Sequence, residues 1–157
     1  MTSSQIVALA AFALLLAAGW CDLRSRTIPD LVPIALCLLG LMATWRRWHD
    51  VTFAQLGIGF GIGLTIGAAL FYAGAFGGGD AKLGAGLGAV CGWPQLLEVL
   101  FATALCGGLL SLWAKRRRLE SLPYAPAFAG GYATTVAVAW LLAPTTGLWH
   151  LVTGGAL

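Results

Sequence analysis

Apolar residues dominate this chain in long runs, and polar residues collect in the short breaks between them. Residues 5–20 and 31–45 are each slightly shorter than the roughly 20 residues that cross a bilayer, and 53–76 exceed it. A fourth run, 81–93, is short and rich in glycine, with Pro94 placed to end it. Two more cover about 95–113 and 127–143. Backbone in lipid must satisfy its own hydrogen bonds, so each run predicts a helix. The pattern predicts an all-α, polytopic integral membrane protein with about six crossings, and residues 1–157 as one membrane-embedded domain. The tail "LWHLVTGGAL" is too short to cross and is expected at the interface. The opening "MTSS" has no basic side chain and bulky Trp20 precedes Cys21, so the first run is expected to be a permanent span.

Composition agrees with that pattern. Hydrophobic residues make up 59% of the chain and charged ones 10%, with a mean hydropathy of +0.86, whereas soluble domains are about one quarter charged. A net charge of +3, scattered over loops, excludes a nucleic-acid surface. Those same charges orient the chain. Alternate loops hold Arg24, Arg26, Lys82, Lys115, Arg116, Arg117 and Arg118, and the others hold only Arg46 and Arg47. Positive loops stay in the cytoplasm, so the amino terminus is expected outside.

Glycines in "GIGFGIGLTIG" pair four apart, as Gly57 with Gly61, Gly59 with Gly63, and Gly63 with Gly67. Such spacing lets helices approach closely in lipid. Gly84-x-Gly86-x-x-Ala89 echoes a dinucleotide fingerprint, but no strand precedes it and helix packing is the expected role. Cys21, Cys37, Cys91 and Cys106 form no C-x-x-C pair and read as small apolar residues. No metal or cofactor signature is present.

Six acids remain to be explained. Asp50 and Glu120 lie in charged loops and are expected to be solvated. Glu98 is about one turn inside the fifth run, within reach of the interface. Asp30, after Pro29, is placed to cap the second helix. Asp22 and Asp80 differ from these. Each stands at the edge of the hydrocarbon on the expected cytoplasmic face, with a base at plus two, Arg24 or Lys82. Side chains two apart on a helix do not face each other, so neither acid is neutralised by its neighbour. A boundary acid without a local partner points to function. Two carboxylates held together share a proton, which suits peptide hydrolysis: one activates water while the other protonates the scissile carbonyl. The glycines of "GGGD" would let an extended substrate backbone approach. Ser111 and the other hydroxyls have no histidine at a matching spacing, and His49 and His150 fall on the opposite face.

"DLRSRTIPD" at 22–30 and "GGGDAKLGAG" at 77–86 resemble the two motifs of the type IV prepilin peptidases, which are Gly-x-Gly-Asp intramembrane aspartic proteases. "LPYAPAFAGG" at 122–131 is similar to a third segment of the short members serving tight-adherence (Flp) pili. The resemblance implies that Asp22 and Asp80 are catalytic. Arg24, Ile28 and Pro29 would complete the first motif, and Gly77, Gly79 and Lys82 the second, with Lys82 shaping the electrostatics or binding substrate. It implies a prepilin substrate with a basic leader and an apolar helix, cut at the cytoplasmic face of a bacterial inner membrane without a cofactor or metal. The lipid bilayer and a pilus or secretion machinery are the other implied partners. Asp30 departs from the family's usual Asn and either attracts the leader or exchanges one cap for another. Longer members carry an insertion with paired cysteines and also methylate the product, so methyltransferase activity is not expected here. Two other classes stay open: a proton-coupled transporter, and a non-catalytic assembly subunit of a pilus or secretion system.

Overall fold

The computed structural model describes residues 2–117 and 124–146, and every regular element among them is a helix. In order these are α1 (Ser3–Ser25), α2 (Leu31–Trp45), α3 (Phe53–Tyr72), α4 (Gly78–Arg117) and α5 (Ala125–Thr146). Three of them are long and apolar enough to cross a membrane: Ser3–Ser25, Phe53–Tyr72 and the Gly78–Leu112 part of α4. Leu31–Trp45 is a shorter apolar helix. Arg118, Glu120, His150 and the tail 148–157 lie outside the described residues.

Local chemistry sets the helix ends. Thr2 and Thr52 each accept the backbone N–H of a glutamine three residues on, and Gln5 and Gln55 reach back to the caps. These are two complete capping boxes, which satisfy backbone donors that a helix start leaves unpaired. α3 stops at Tyr72, earlier than the hydrophobic run suggests, and Gly74 at φ 73° turns the chain toward α4.

α4 is broken inside. Gly92 has φ 72° and ψ 167°, which divides the element into runs 78–91 and 93–117. The break falls two residues before Pro94, because positive φ is cheap only without a Cβ. Pro94 instead sits in the opening turn of the second run, where its missing N–H costs nothing.

The first run of α4 is the centre of the bundle. From Asp80 to Gly92 every residue is buried except Lys82. A Cβ added to Gly59, Gly63 or Gly67 of α3 would overlap the backbone of Gly88, Gly84 or Ala81. On the α2 side, Gly40 meets Ala89 in the same way, and Gly86 leaves a Cβ only 2.8 Å from the Pro33 carbonyl oxygen. Phe128 of α5 closes another side, fully buried and close to Gly84. A helix enclosed by protein needs small residues rather than a lipid-facing surface, which explains its short, glycine-rich sequence. The glycine spacing in α3 therefore works through 59, 63 and 67, while Gly57 and Gly61 face open space. Large apolar side chains such as Trp20, Trp45, Phe101 and Leu109 point outward, as lipid requires.

Candidate active site

α1 continues one turn past Asp22, to Ser25, so this acid lies within the last turn rather than at the helix end. It is 9% exposed. Its Oδ2 accepts the backbone N–H of Ala125 at 3.1 Å, across 103 residues of sequence. Ala125 is the first residue of α5, so Asp22 caps the start of another helix.

Asp80 is the third residue of α4 and is 7% exposed. Its Oδ2 accepts the N–H of Gly77 at 3.0 Å. That bond is half of a capping box, and it would account for a carboxylate here with no chemistry at all. It does not account for the other oxygen. Oδ1 is buried and finds no hydrogen-bond partner among the described residues. Desolvating a carboxylate oxygen without a partner costs free energy, and such groups mark strain or function.

Both acids are buried at the same end of the bundle, Asp22 against the start of α5 and Asp80 at the start of α4. Asp80 stands in the first turn of α4 and Asp22 caps the first turn of α5, and the start of a helix favours negative charge. Packing holds the surrounding chain: Phe76, just before the glycines, packs tilted against Tyr124 and edge-on against Phe128, with ring centres 5.3 Å and 5.8 Å apart. This joins the α3–α4 connection to the start of α5, beside the N–H that Asp22 accepts.

The motif glycines have separate reasons. A Cβ on Gly77 would crowd Asp80 Oδ2 at 3.3 Å. A Cβ on Gly79 would lie 2.9 Å from Ile28 Cβ, closer than real carbons approach. The start of α4 and the α1–α2 connection thus touch backbone to side chain.

The charged and proline residues of the motifs lie around this core. Arg24 and Pro29 are exposed. Asp30 occupies the N-cap position of α2 but makes no side-chain cap hydrogen bond. Its Oδ1 instead pairs with Lys82 Nζ at 2.7 Å. This is the one ion pair among the described residues, so Arg24 and Lys82 leave Asp22 and Asp80 unneutralised. His49, in the connection after α2, is at the opposite end of the bundle, and burial holds its pKa below the ordinary range. Among the described residues, no group of three or more His, Cys, Asp or Glu could hold a metal ion.

Residues 9–112 match the family model described as the type IV leader peptidase family. The chain belongs to that family. Two curated relatives, each named prepilin leader peptidase/N-methyltransferase, come from Burkholderia pseudomallei strains 1026b and K96243. Each is 34% identical over 143 residues, covering 82% of this chain and 46% of the relative. The chain thus spans about half the length of these curated relatives. No solved structure matches it. The family match runs from within α1 to within α4. It contains both aspartates and stops before α5, so the Ala125 contact to Asp22 comes from outside the matched region. In the sequence this region is marked only by the "LPYAPAFAGG" resemblance, and nothing in it singles out the backbone N–H of Ala125.

Proposed function

We propose that this leader peptidase family member is an aspartic endopeptidase, with Asp22 and Asp80 as its catalytic pair, that removes the basic leader of Flp-type prepilins. One observation carries the assignment: two acids from the two motifs lie buried at the same end of the bundle, and Asp80 keeps a buried oxygen without a partner among the described residues. In the reaction the ionised aspartate takes a proton from water as its oxygen bonds the scissile carbonyl carbon. The protonated aspartate gives its proton to the carbonyl oxygen. The tetrahedral species then collapses, the C–N bond breaks, and a proton passes to the leaving nitrogen. One oxygen of each carboxylate stays fixed by a backbone N–H throughout, which holds the pair without using its second oxygen.

The break at Gly92 supports six crossings, with the first run of α4 as a short one shielded by its neighbours. Basic residues at the span ends beside Asp22 and Asp80 support a cytoplasmic site in a bacterial inner membrane. The methyltransferase in the relatives' name stays with the relatives. Connections between the helices are short, and all four cysteines lie in helices as free thiols.

Co-expression with a candidate prepilin tests the assignment, with leader removal followed by gel shift and the mature pilin weighed by mass spectrometry. Asp22→Asn and Asp80→Asn should each abolish cleavage at matched expression, because Asn keeps the shape but cannot carry the proton. The double variant should be no worse than either single one, as expected of groups acting as a unit. The mature pilin should carry an unmethylated amino terminus. Near-normal cleavage by either single variant removes the pair, and transport or assembly becomes the reading to pursue.

A further inference from the structure

The pairing of Asp30 with Lys82 joins two segments that are 52 residues apart in sequence. Asp30 ends the connection that leaves α1 just after Asp22, and Lys82 follows Asp80 by two residues on α4. On a helix that offset is about 200°, so Lys82 points outward while Asp80 points into the bundle. The burial pattern agrees, with Lys82 exposed and Asp80 buried.

We infer that Asp30 and Lys82 form a strap that positions Asp80 against Asp22, as positioning residues and not as contacts to the leader peptide. This role rests on the peptidase function proposed above. Two links fix the first turn of α4 to the α1–α2 connection. Inside is the close approach of Gly79 to Ile28, and outside is the Lys82–Asp30 bond at 2.7 Å. Asp80 stands between them in sequence, so rotation or lift of this turn moves its carboxylate. Asp22 is fixed separately, through Ala125 on α5. Beyond the packing of α4 on α3 through Gly67 and Ala81, the Gly79 contact, the Gly77 hydrogen bond and this strap define where the Asp80 side chain sits.

An exposed ion pair of this kind contributes little to stability. Its leverage is geometric, because a misplacement of about 1 Å at a reacting group can cost about 100-fold in rate. With its charge offset by Lys82, Asp30 attracts a basic leader less than a free carboxylate would. The departure from the family's Asn is then an exchange of acceptor: Asp30 accepts from the ammonium, as an amide oxygen also could.

Charge reversal in the full-length membrane protein tests the strap. Asp30→Lys and Lys82→Asp each set like charges side by side, and each should lower kcat for leader removal about tenfold with KM within about twofold. The double reversal restores an opposite pair and should recover kcat to within about threefold of wild type. Asp30→Asn should fall between wild type and Asp30→Lys. Hydrogen exchange provides a readout that needs no substrate: amides of residues 78–83 should exchange faster in Asp30→Lys and slow again in the double reversal, with α3 unchanged. A double reversal no better than the slower single variant overturns the strap. So does a change in KM with constant kcat, which would place these charges on the leader. If exchange responds as described but wild type cleaves no prepilin, the strap stands as structure and the peptidase assignment fails.

Discussion

Gly79 has no room for a side chain. A Cβ there would sit 2.9 Å from Ile28 Cβ, and carbons at rest keep about 3.5–4 Å apart, so either the α4 turn or the Ile28 segment must move. Gly79→Ala should therefore lower kcat for leader removal by about 10- to 100-fold, since the displaced turn carries Asp80. Gly78→Ala is the control: its nearest neighbour, a Phe71 ring carbon, lies at an ordinary 3.8 Å, and activity should stay within about threefold. Equal losses at both positions would show that the whole glycine run serves flexibility or substrate approach. That second role is the one the sequence suggests, because glycines before an acid look like room for a substrate strand. Only the fold shows that one of them is occupied by the protein's own isoleucine. Asp22 and Asp80 could be picked out in advance because a charge beside hydrocarbon is costly wherever it sits. The partners of the charges could not. The Lys82–Asp30 bond and the Ala125 N–H on Asp22 link residues 52 and 103 apart, and no local periodicity encodes such distances.

At the scale of helices, the packing of α3 on α4 depends on one of two interleaved glycine series. Gly59, Gly63 and Gly67 face the α4 backbone, and Gly57 and Gly61 stand about 200° away on open surface. The spacing of four predicts a close helix contact but fits both series equally, so the sequence leaves the contacting face undetermined. Thermal unfolding in detergent separates them. Gly63→Ala drives a methyl into the Gly84 carbonyl and should destabilise by about 1–3 kcal/mol, with a lower Tm. Gly61→Ala meets nothing within 4 Å and exchanges a poor helix former for the best one, so Tm should hold or rise. The reverse order would mean that α3 uses its other face. The same enclosure explains why 81–93 is the weakest apolar run in the sequence. Hydropathy measures fitness for lipid, and a helix surrounded by other helices is under no pressure to show it. Its end was also misplaced by two residues, since Pro94 is the louder signal while the φ of 72° belongs to Gly92.

For the whole molecule, the helices point their large apolar side chains outward and surround a small-residue helix whose first turn holds Asp80. α1 brings Asp22 to the same end, where α2 and α5 also begin, while the connection from Trp45 to Phe53 lies at the other end. Which end faces the cytoplasm decides whether the site meets a leader that has never crossed the membrane. Basic residues provide the physical argument: by sequence, seven fall on the Asp22 and Asp80 side of the spans and two on the other, and positive flanks resist translocation. The closest tests are two exposed positions, Asp50 in the α2–α3 connection and Arg116 near the end of α4. In a background with all four native cysteines replaced by alanine or serine, Asp50→Cys should react with an impermeant maleimide on intact cells. Arg116→Cys should react only after the cells are opened. The opposite pattern would put both aspartates on the outer face, out of reach of a cytoplasmic leader, and would make a prepilin substrate untenable even with the catalytic pair intact.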